Sequence, residues 1–452
     1  MRENLHSVPF DPSDAKAALA QLPPAPAVFA LYGADAHAEP YIGRTPNLRG
    51  RLERLLQPSA KHPRRLQLAG RVRRIEYRLT GSDFESLLIQ FNMLEEIYGP
   101  KVLERMHLRA PAFIRYLGSN AYPRIVVTNR PSQREADWAY GPFASRAAAE
   151  RFADEALKLF LLRRCTDDLD PNPTHPGCVY SEMKMCLAPC YQGCTDQRYG
   201  EESAAVERFL ATRGESRLVT LKTERDQASA DLEFEAAAAL HAQVQKVEVV
   251  RALAPELVRP LSQLRAVILQ ASAQPDEVAV FLFEGGVLRG PQPFSTLGMR
   301  IQNEQSGSSS LFAQPLAIEA VPEEAGVRDQ GLRVGSSEPQ IGGPPASEAA
   351  SSGEEAATVK LPSPAKAPRG LLEARMEAVL AALAPDGEVR QAPSVTVRQG
   401  HLALLKRWYY RPEVRRVGEI FFLDDEGHWP IKQLLRGGGR VAAKMLGASQ
   451  KA

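Results

Sequence analysis

At 452 residues the chain is too long for one ordinary hydrophobic core, so two or three compact units joined by linkers are expected. Its 44% hydrophobic and 24% charged content is that of a soluble globular protein, and no apolar run approaches the roughly 18 residues that cross a bilayer. With a net charge of only +2, any nucleic-acid surface has to be local. Residues 1–24 carry acidic residues and no apolar signal core, so a cytoplasmic protein is expected. Residues 1–22 read as a helical lead-in. Val28-Phe29-Ala30-Leu31-Tyr32 is a short apolar strand, residues 33–39 a polar turn, and Tyr41-Ile42 a second strand. Asn47 can cap a helix beginning at Leu48. Residues 74–79 alternate with period two, as a strand does, and Ser82-Asp83-Phe84-Glu85 caps a helix that runs to about Tyr98 and stops at Gly99-Pro100. Strands follow near 113–117 and 124–128, then a helix near 146–162. Residues 203–253 have helical periodicity, with Leu218, Leu221, Ala228 and Leu232 in one stripe and Leu240, Val244 and Val247 in another. Asp231 is a plausible cap between the two helices. Short strands at 266–269 and 278–283 precede a hairpin-like Glu284-Gly285-Gly286. Residues 302–368 shift to Ser, Gly, Pro, Glu and Ala and read as a disordered linker. Beyond it stand a helix at 371–383, an alternating strand at Val395 and Val397, and an aromatic-basic run at 404–411.

Charge concentrates after Tyr41. Between residues 41 and 78 there are eleven Lys or Arg against Glu53 and Glu76, a local net charge of +9 suited to phosphates. This strand–turn–strand–helix context resembles the GIY-YIG nuclease family. The second motif of that family is intact as Tyr41-Ile42-Gly43, Arg44, Asn47 and Leu48 match the residues that follow it, and Arg51 matches the helix arginine. The resemblance implies phosphodiester cleavage, with a tyrosine that positions water, an arginine that neutralises charge at phosphorus, and a glutamate that holds one Mg²⁺ or Mn²⁺. It also implies DNA contacts at Arg44, Asn47, Arg49 and Arg54. Four positions depart from the pattern. Phe29 replaces the first motif's tyrosine, Leu55 replaces a second tyrosine, Gln90 replaces the metal glutamate, and Pro100-Lys101-Val102-Leu103 replaces the Pro-x-Tyr-Asn end. A neutral amide is a far weaker ligand for a hard cation than a carboxylate. Glu85 and Glu95 lie five residues to either side of Gln90, about 140° around the helix, so neither is placed to substitute. A degenerate nuclease is therefore expected.

All five cysteines fall in one segment, as Cys165-x12-Cys178-x7-Cys186-x3-Cys190 with Cys194 four residues further on. Cysteines that serve only packing would not cluster so tightly, and without a secretion signal disulfides are not expected, so a metal site is. Spacing does not choose between Zn²⁺ and iron–sulfur, because both accept four thiolates. Leu161-Leu162-Arg163-Arg164-Cys165-Thr166, Gly177-Cys178-Val179-Tyr180 and Met185-Cys186-Leu187-Ala188-Pro189-Cys190 resemble the cysteine-rich region of the UvrC family. That resemblance implies a 4Fe-4S cluster on Cys165, Cys178, Cys186 and Cys190, with Cys194 surplus or a replacement ligand. Tyr122-Pro123-Arg124-Ile125 and Tyr140-Gly141-Pro142-Phe143 resemble the same family.

Residues 231–237, Asp-Leu-Glu-Phe-Glu-Ala-Ala, resemble the UVR motif with which that family docks UvrB through a helical hairpin. Phe234 would be the apolar anchor, with Glu235 beside it; Ala236 replaces the usual basic residue. The last third departs from the family, with neither an RNase H-like site nor helix-hairpin-helix clamps. Asp424, Asp425 and His428 sit in a polar turn. Trp408, Tyr409 and Tyr410 among Lys406, Arg407 and Arg411 suit either base stacking beside phosphate contacts or a core strand.

The expected architecture is an α/β GIY-YIG-like domain at 1–105, a UvrC-like region with the cysteine cluster at 106–200, and a UVR-like helical hairpin at 201–255. A short β region at 256–301, the linker at 302–368 and a small α/β C-terminal domain at 369–452 complete it. The expected function is UvrC-like DNA binding in nucleotide excision repair. Two alternatives are a single-nick endonuclease that cuts on the 3′ side of damage and a redox-sensing DNA-binding adaptor.

Overall fold

The structure, a computed structural model, describes residues 5–35, 37–57, 68, 70–130, 139–166, 169–299, 369–384, 393–424 and 426–449. The expected linker at 302–368 lies outside the described residues. The N-terminal unit holds β1 (His6–Pro9), α1 (Ala15–Ala20), β2 (Ala27–Gly33), β3 (Tyr41–Thr45), α2 (Leu48–Leu56), β4 (Val72–Leu79) and α3 (Asp83–Tyr98). Its strands form one antiparallel sheet in the order β1-β4-β2-β3. The lead-in is thus not wholly helical: Val8 pairs with Ile75, and β1 covers backbone groups that the edge of β4 would otherwise leave unpaired. Both expected caps are present. The Asn47 side chain accepts from Gly50 N at 2.8 Å and Ser82 Oγ from Glu85 N at 3.1 Å, each worth about 1 kcal/mol of helix stability.

The middle unit runs through α4 (Val102–Arg105), β5 (Ala112–Tyr116), β6 (Ile125–Thr128), β7 (Ala139–Phe143), α5 (Arg146–Leu157), α6 (Val179–Glu182), α7 (Asp196–Ala211), α8 (Glu215–Ala230), α9 (Phe234–Ala252) and β8 (Arg259–Pro260). Its sheet has the order β6-β5-β7-β8, and a core of Ile114, Tyr140, Phe143, Phe152, Tyr199 and Phe209 joins sheet to helices. Asp231 ends α8, and the N-cap position of α9 is Glu233, which makes no side-chain cap, so Asp231 does not cap the second helix. Instead its carboxylate accepts from Gln227 Nε2 at 3.0 Å. Leu232 leaves its expected stripe: it takes φ +62° and stands 72% exposed at the hairpin tip.

The third unit corrects the expected division of the C-terminal half. It comprises β9 (Ala266–Ala271), β10 (Glu277–Glu284), β11 (Val287–Ser295), α10 (Arg369–Leu383), α11 (Val395–Tyr409), β12 (Glu419–Phe422) and α12 (Ile431–Ser449). The sheet order is β11-β10-β9-β12, so a strand from beyond residue 368 completes the sheet begun at residue 266. The β region and the C-terminal segment are one unit. Strand alternation divides its apolar residues between two faces. Val267, Leu269, Val278 and Val280 pack against Met376, Leu380, Leu434 and Val441 of α10 and α12. Ala266, Ile268, Phe281 and Phe283 pack against Phe84, Leu88 and Phe91 of α3 and Leu402, Leu405 and Trp408 of α11.

The segment from Val395 is a helix, not a strand. Its Val-Thr-Val start alternates, but Ser394 Oγ caps it by accepting from Val397 N at 3.2 Å. Gly400, His401, Leu402, Ala403, Leu404 and Leu405 are all buried, so the run lacks the polar face that reveals a helix. The aromatic run belongs to this core. Trp408 Nε1 donates to Val417 O at 2.9 Å and Tyr410 Oη to Pro142 O at 2.9 Å. The polar turn is as expected: Asp424 Oδ1 accepts from Glu426 N at 3.1 Å and His428 N at 2.8 Å.

Candidate active site and cysteine cluster

The hairpin of β2 and β3 places Phe29 opposite Gly43, and β4 places Tyr77 on its other side. Phe29 is fully buried, and its ring lies so close over Gly43 that a Cβ there would sit 2.8 Å from Phe29 Cζ. Tyr41 stands two pairs along the strand, on the same face, its ring 6.1 Å from that of Phe29. Arg51, half-buried on α2, reaches the Tyr41 hydroxyl at 3.4 Å. These two retained residues therefore meet. The substituted ones do not offer polar groups to them: Phe29 and Leu55 both lie in the apolar core of the N-terminal unit.

Gln90 is half-buried on α3. Glu85, the nearest carboxylate before it, is 5% exposed and accepts from Gly81 N at 2.9 Å. Burial raises its pKa, against the opposing pull of that hydrogen bond and of Arg78. It closes the first turn of the helix and is not available to a cation. Among the described residues no group of three His, Cys, Asp or Glu is placed to hold a metal ion. The N-terminal donor set therefore does not fit the divalent ion of the nuclease reaction.

The expected DNA-contact residues are partly committed elsewhere. Arg49 Nε donates to Leu22 O at 2.7 Å, Arg54 Nε to Gly50 O at 2.9 Å, and Asn47 spends its side chain on the cap. Arg44 forms an ion pair with Asp83, and Asp83 also accepts from Arg411 Nη2 at 2.5 Å. Burial works against the Asp83 charge, but the Arg411 hydrogen bond and the charges of Arg44 and Arg411 outweigh it and hold the carboxyl below its ordinary range. Nothing in the sequence signalled this bridge, since Arg411 lies 328 positions away. Lys61, Arg64 and Arg65 of the basic run lie outside the described residues.

The cysteine segment is pinned to α7. Arg163 N donates to Tyr199 Oη at 3.2 Å, Leu187 N to Leu161 O at 3.0 Å, Asn172 N to Cys190 O at 2.9 Å, and Leu161 N to Glu202 Oε1 at 2.7 Å. Lys184, Ala188 and Gln192 take positive φ, a conformation uncommon for residues with side chains. The Cys186 thiol is pushed up to about 11, by burial first and then, against the Ala188 hydrogen bond, by Cys178, Cys165 and Cys190. Burial likewise raises Cys190, with Cys178 and Cys165 adding to it. Among the described residues, no three of these thiols stand together as a metal site. Cys194 is raised by burial and Asp196, and of the other thiols only Cys190 acts on it. Ala188 N points at Cys186 Sγ at 3.1 Å and Arg163 Nη1 at Cys165 Sγ at 3.7 Å, donors of the kind that support a charged sulfur. Arg164 leaves Nε and Nη2 buried without hydrogen-bond partners.

At the hairpin tip Phe234 is 66% exposed, close to Leu232. Only Val244, Val247 and Val250 of α9 are buried, so the half of the helix that carries Phe234 and Glu235 stands clear of the core.

Comparison with known families bears on the middle unit directly. Residues 113–209 match the model of the UvrC/Cho excinuclease middle domain, a span that runs from β5 through the cysteines into α7. The UvrABC system protein C of Alcanivorax borkumensis is 29% identical over 211 residues, covering 47% of this chain and 34% of that protein. The chain is UvrC-like. The UvrABC system protein C of Francisella tularensis subsp. holarctica extends the likeness to 272 residues at 27% identity, 60% of this chain and 42% of that protein. The UvrC-like chain thus spans between 34% and 42% of the length of these relatives. No solved structure matches it.

Proposed function

We propose that this UvrC-like chain is a DNA-binding protein of nucleotide excision repair whose nuclease site is degenerate. The observation that carries the reading is the state of that site. Tyr41 and Arg51 keep their hydrogen bond, while Phe29 and Leu55 are core residues, Gln90 is neutral and Glu85 is spent on Gly81. An arginine and a phenol can grip a phosphate. Without a carboxylate to hold a cation, hydrolysis lacks its source of activated water.

In the same reading, Cys165, Cys178, Cys186 and Cys190 hold an iron–sulfur cluster, supported by their clustering in one segment of sequence and by the orphaned Arg164 donors. Such a cluster would cross-link the segment and supply a one-electron couple. Zn²⁺ suits the same four sulfurs. The exposed Phe234 of the hairpin tip, with Glu235 beside it, docks a UvrB-type partner. The retained Tyr41–Arg51 pair favours one other reading, a nuclease that makes a single nick.

Fluorescence anisotropy with labelled bubble and adduct-bearing duplexes tests the main reading. DNA binding that persists in EDTA is expected, because the grip needs no bound cation. Absence of binding, in EDTA and in Mg²⁺ alike, would refute it.

A further inference from the structure

We propose a second phosphate site, for the phosphodiester backbone of DNA, where Arg213, Arg259 and Arg416 converge with the phenols of Tyr140 and Tyr409 between the middle and third units. The three arginines come from separate segments. Arg213 occupies the turn between α7 and α8, Arg259 lies on β8, and Arg416 precedes β12. Pairing of β7 with β8 sets Gly141 opposite Arg259 and brings Tyr140 alongside. Arg213 lies near the Tyr140 phenol, whose proton its charge makes easier to lose. The Arg259 guanidinium stacks 4.0 Å over the Phe422 ring and donates to Glu256 O at 2.8 Å. Arg416 lies 5.3 Å over the Tyr409 ring and donates to Tyr409 O at 3.1 Å.

The cluster is poor in counter-charge. Arg259 and Arg416 are held by rings and carbonyls, and among the described residues none of the three arginines makes an ion pair. Glu256, itself exposed, is the one carboxylate that acts on Arg259. Arg213 Nε is buried with no hydrogen-bond partner. Arg213 also takes φ +52°, a strained conformation for a residue with a side chain. Burial and then the nearby Arg213 pull the Arg259 pKa down to about 10, a sign of crowded like charge. Half-buried cations without anions are costly, and guanidinium groups bind phosphate through several donors at once. A phosphate group would relieve the crowding and fill the open donors.

The choice of DNA as the source of that phosphate rests on the DNA-binding reading above. Salt-dependent anisotropy of the full-length chain with a labelled duplex, combined with thermal shift in inorganic pyrophosphate, separates the two. For Arg213→Gln, Arg259→Gln and Arg416→Gln, the slope of log affinity against log salt should fall by about 0.9 per lost phosphate contact. Glu256→Gln, at an exposed position, should tighten binding, and pyrophosphate should raise the melting temperature of the parent chain but not of Arg259→Gln. Binding with unchanged slopes in all three variants and no pyrophosphate stabilisation would overturn the site and leave the DNA-binding reading standing. No DNA binding, with Arg259-dependent pyrophosphate stabilisation, would keep the anion site and remove DNA as its ligand. Should the arginine variants fail to fold, unchanged DNA affinity in Glu256→Gln would overturn the proposal.

Discussion

Phe29 and Gly43 show how one substitution reshapes a site. A phenylalanine ring can sink into the core where a hydroxyl would have to stay wet, and this ring lies directly over Gly43. The two positions are therefore coupled. A Gly43→Ala variant puts a methyl 2.8 Å from Phe29 Cζ, and the ring, packed on all sides, has no room to withdraw. The expected cost is about 1–3 kcal/mol, read as a lower urea midpoint at unchanged m-value. A midpoint equal to that of the parent would show that the ring is mobile. Arg44 carries a second lesson at this scale. In sequence it is a free cation after the motif, whereas in the structure Asp83 shares it with Arg411.

At the scale of elements, legibility followed how far each signal depends on distant chain. Asn47 and Ser82 cap the helices that their sequence contexts announced, because capping is settled within three residues. The β10–β11 hairpin was legible from Gly285-Gly286, both at positive φ. Strand β1 was not, because His6-Ser7-Val8-Pro9 has no alternation and owes its shape to the open edge of β4. Helix α11 was misread for a related reason: buried on nearly every side, it shows no polar face. The candidate site divided likewise, with Tyr41, Arg51 and the cysteines legible as motifs and the roles of Asp83 and Glu85 visible only once packed.

Two element-scale tests follow from these assignments. Replacing Cys165, Cys178, Cys186 or Cys190 singly by serine should abolish bound iron and the absorbance near 400 nm. Cys194→Ser should retain both, because the family resemblance leaves it outside the ligand set; retention of full iron by all five variants would remove that ligand set, and a parent chain that binds no iron would remove the cluster. At the hairpin tip, Phe234→Ala should weaken UvrB capture in a pull-down, yet change stability by less than about 0.5 kcal/mol, because an exposed side chain supports no core. Equal capture of both proteins would count against the motif.

At the scale of the whole molecule, the third sheet and α11 close over α3, the helix that carries Gln90. The N-terminal and C-terminal units therefore share one core. His401 is the polar rivet in it. Its Nδ1 accepts from Leu288 N at 3.0 Å, which leaves the ring proton on Nε2, 3.3 Å from Asn92 Oδ1. Burial, aided by Arg289, lowers its pKa to about 4. The unfolded chain then binds a proton that the folded chain does not, so this contribution is complete above pH ~6.5 and is lost as pH falls toward ~4. The parent should lose stability between about pH 6.5 and about 4.5 more steeply than His401→Gln, whose amide cannot titrate; parallel pH profiles of the urea midpoint would contradict the neutral, buried ring.

That closure also bears on catalysis, because restoring one carboxylate at Gln90 leaves Phe29 and Leu55 in the core. The most direct measurement is cleavage of an end-labelled, adduct-bearing duplex by the full chain in Mg²⁺ or Mn²⁺, with and without UvrB, alongside Gln90→Glu and Arg51→Ala. The account predicts DNA that is bound and uncut by the parent and by Gln90→Glu alike. A nick made by the parent chain and lost in Arg51→Ala would contradict it.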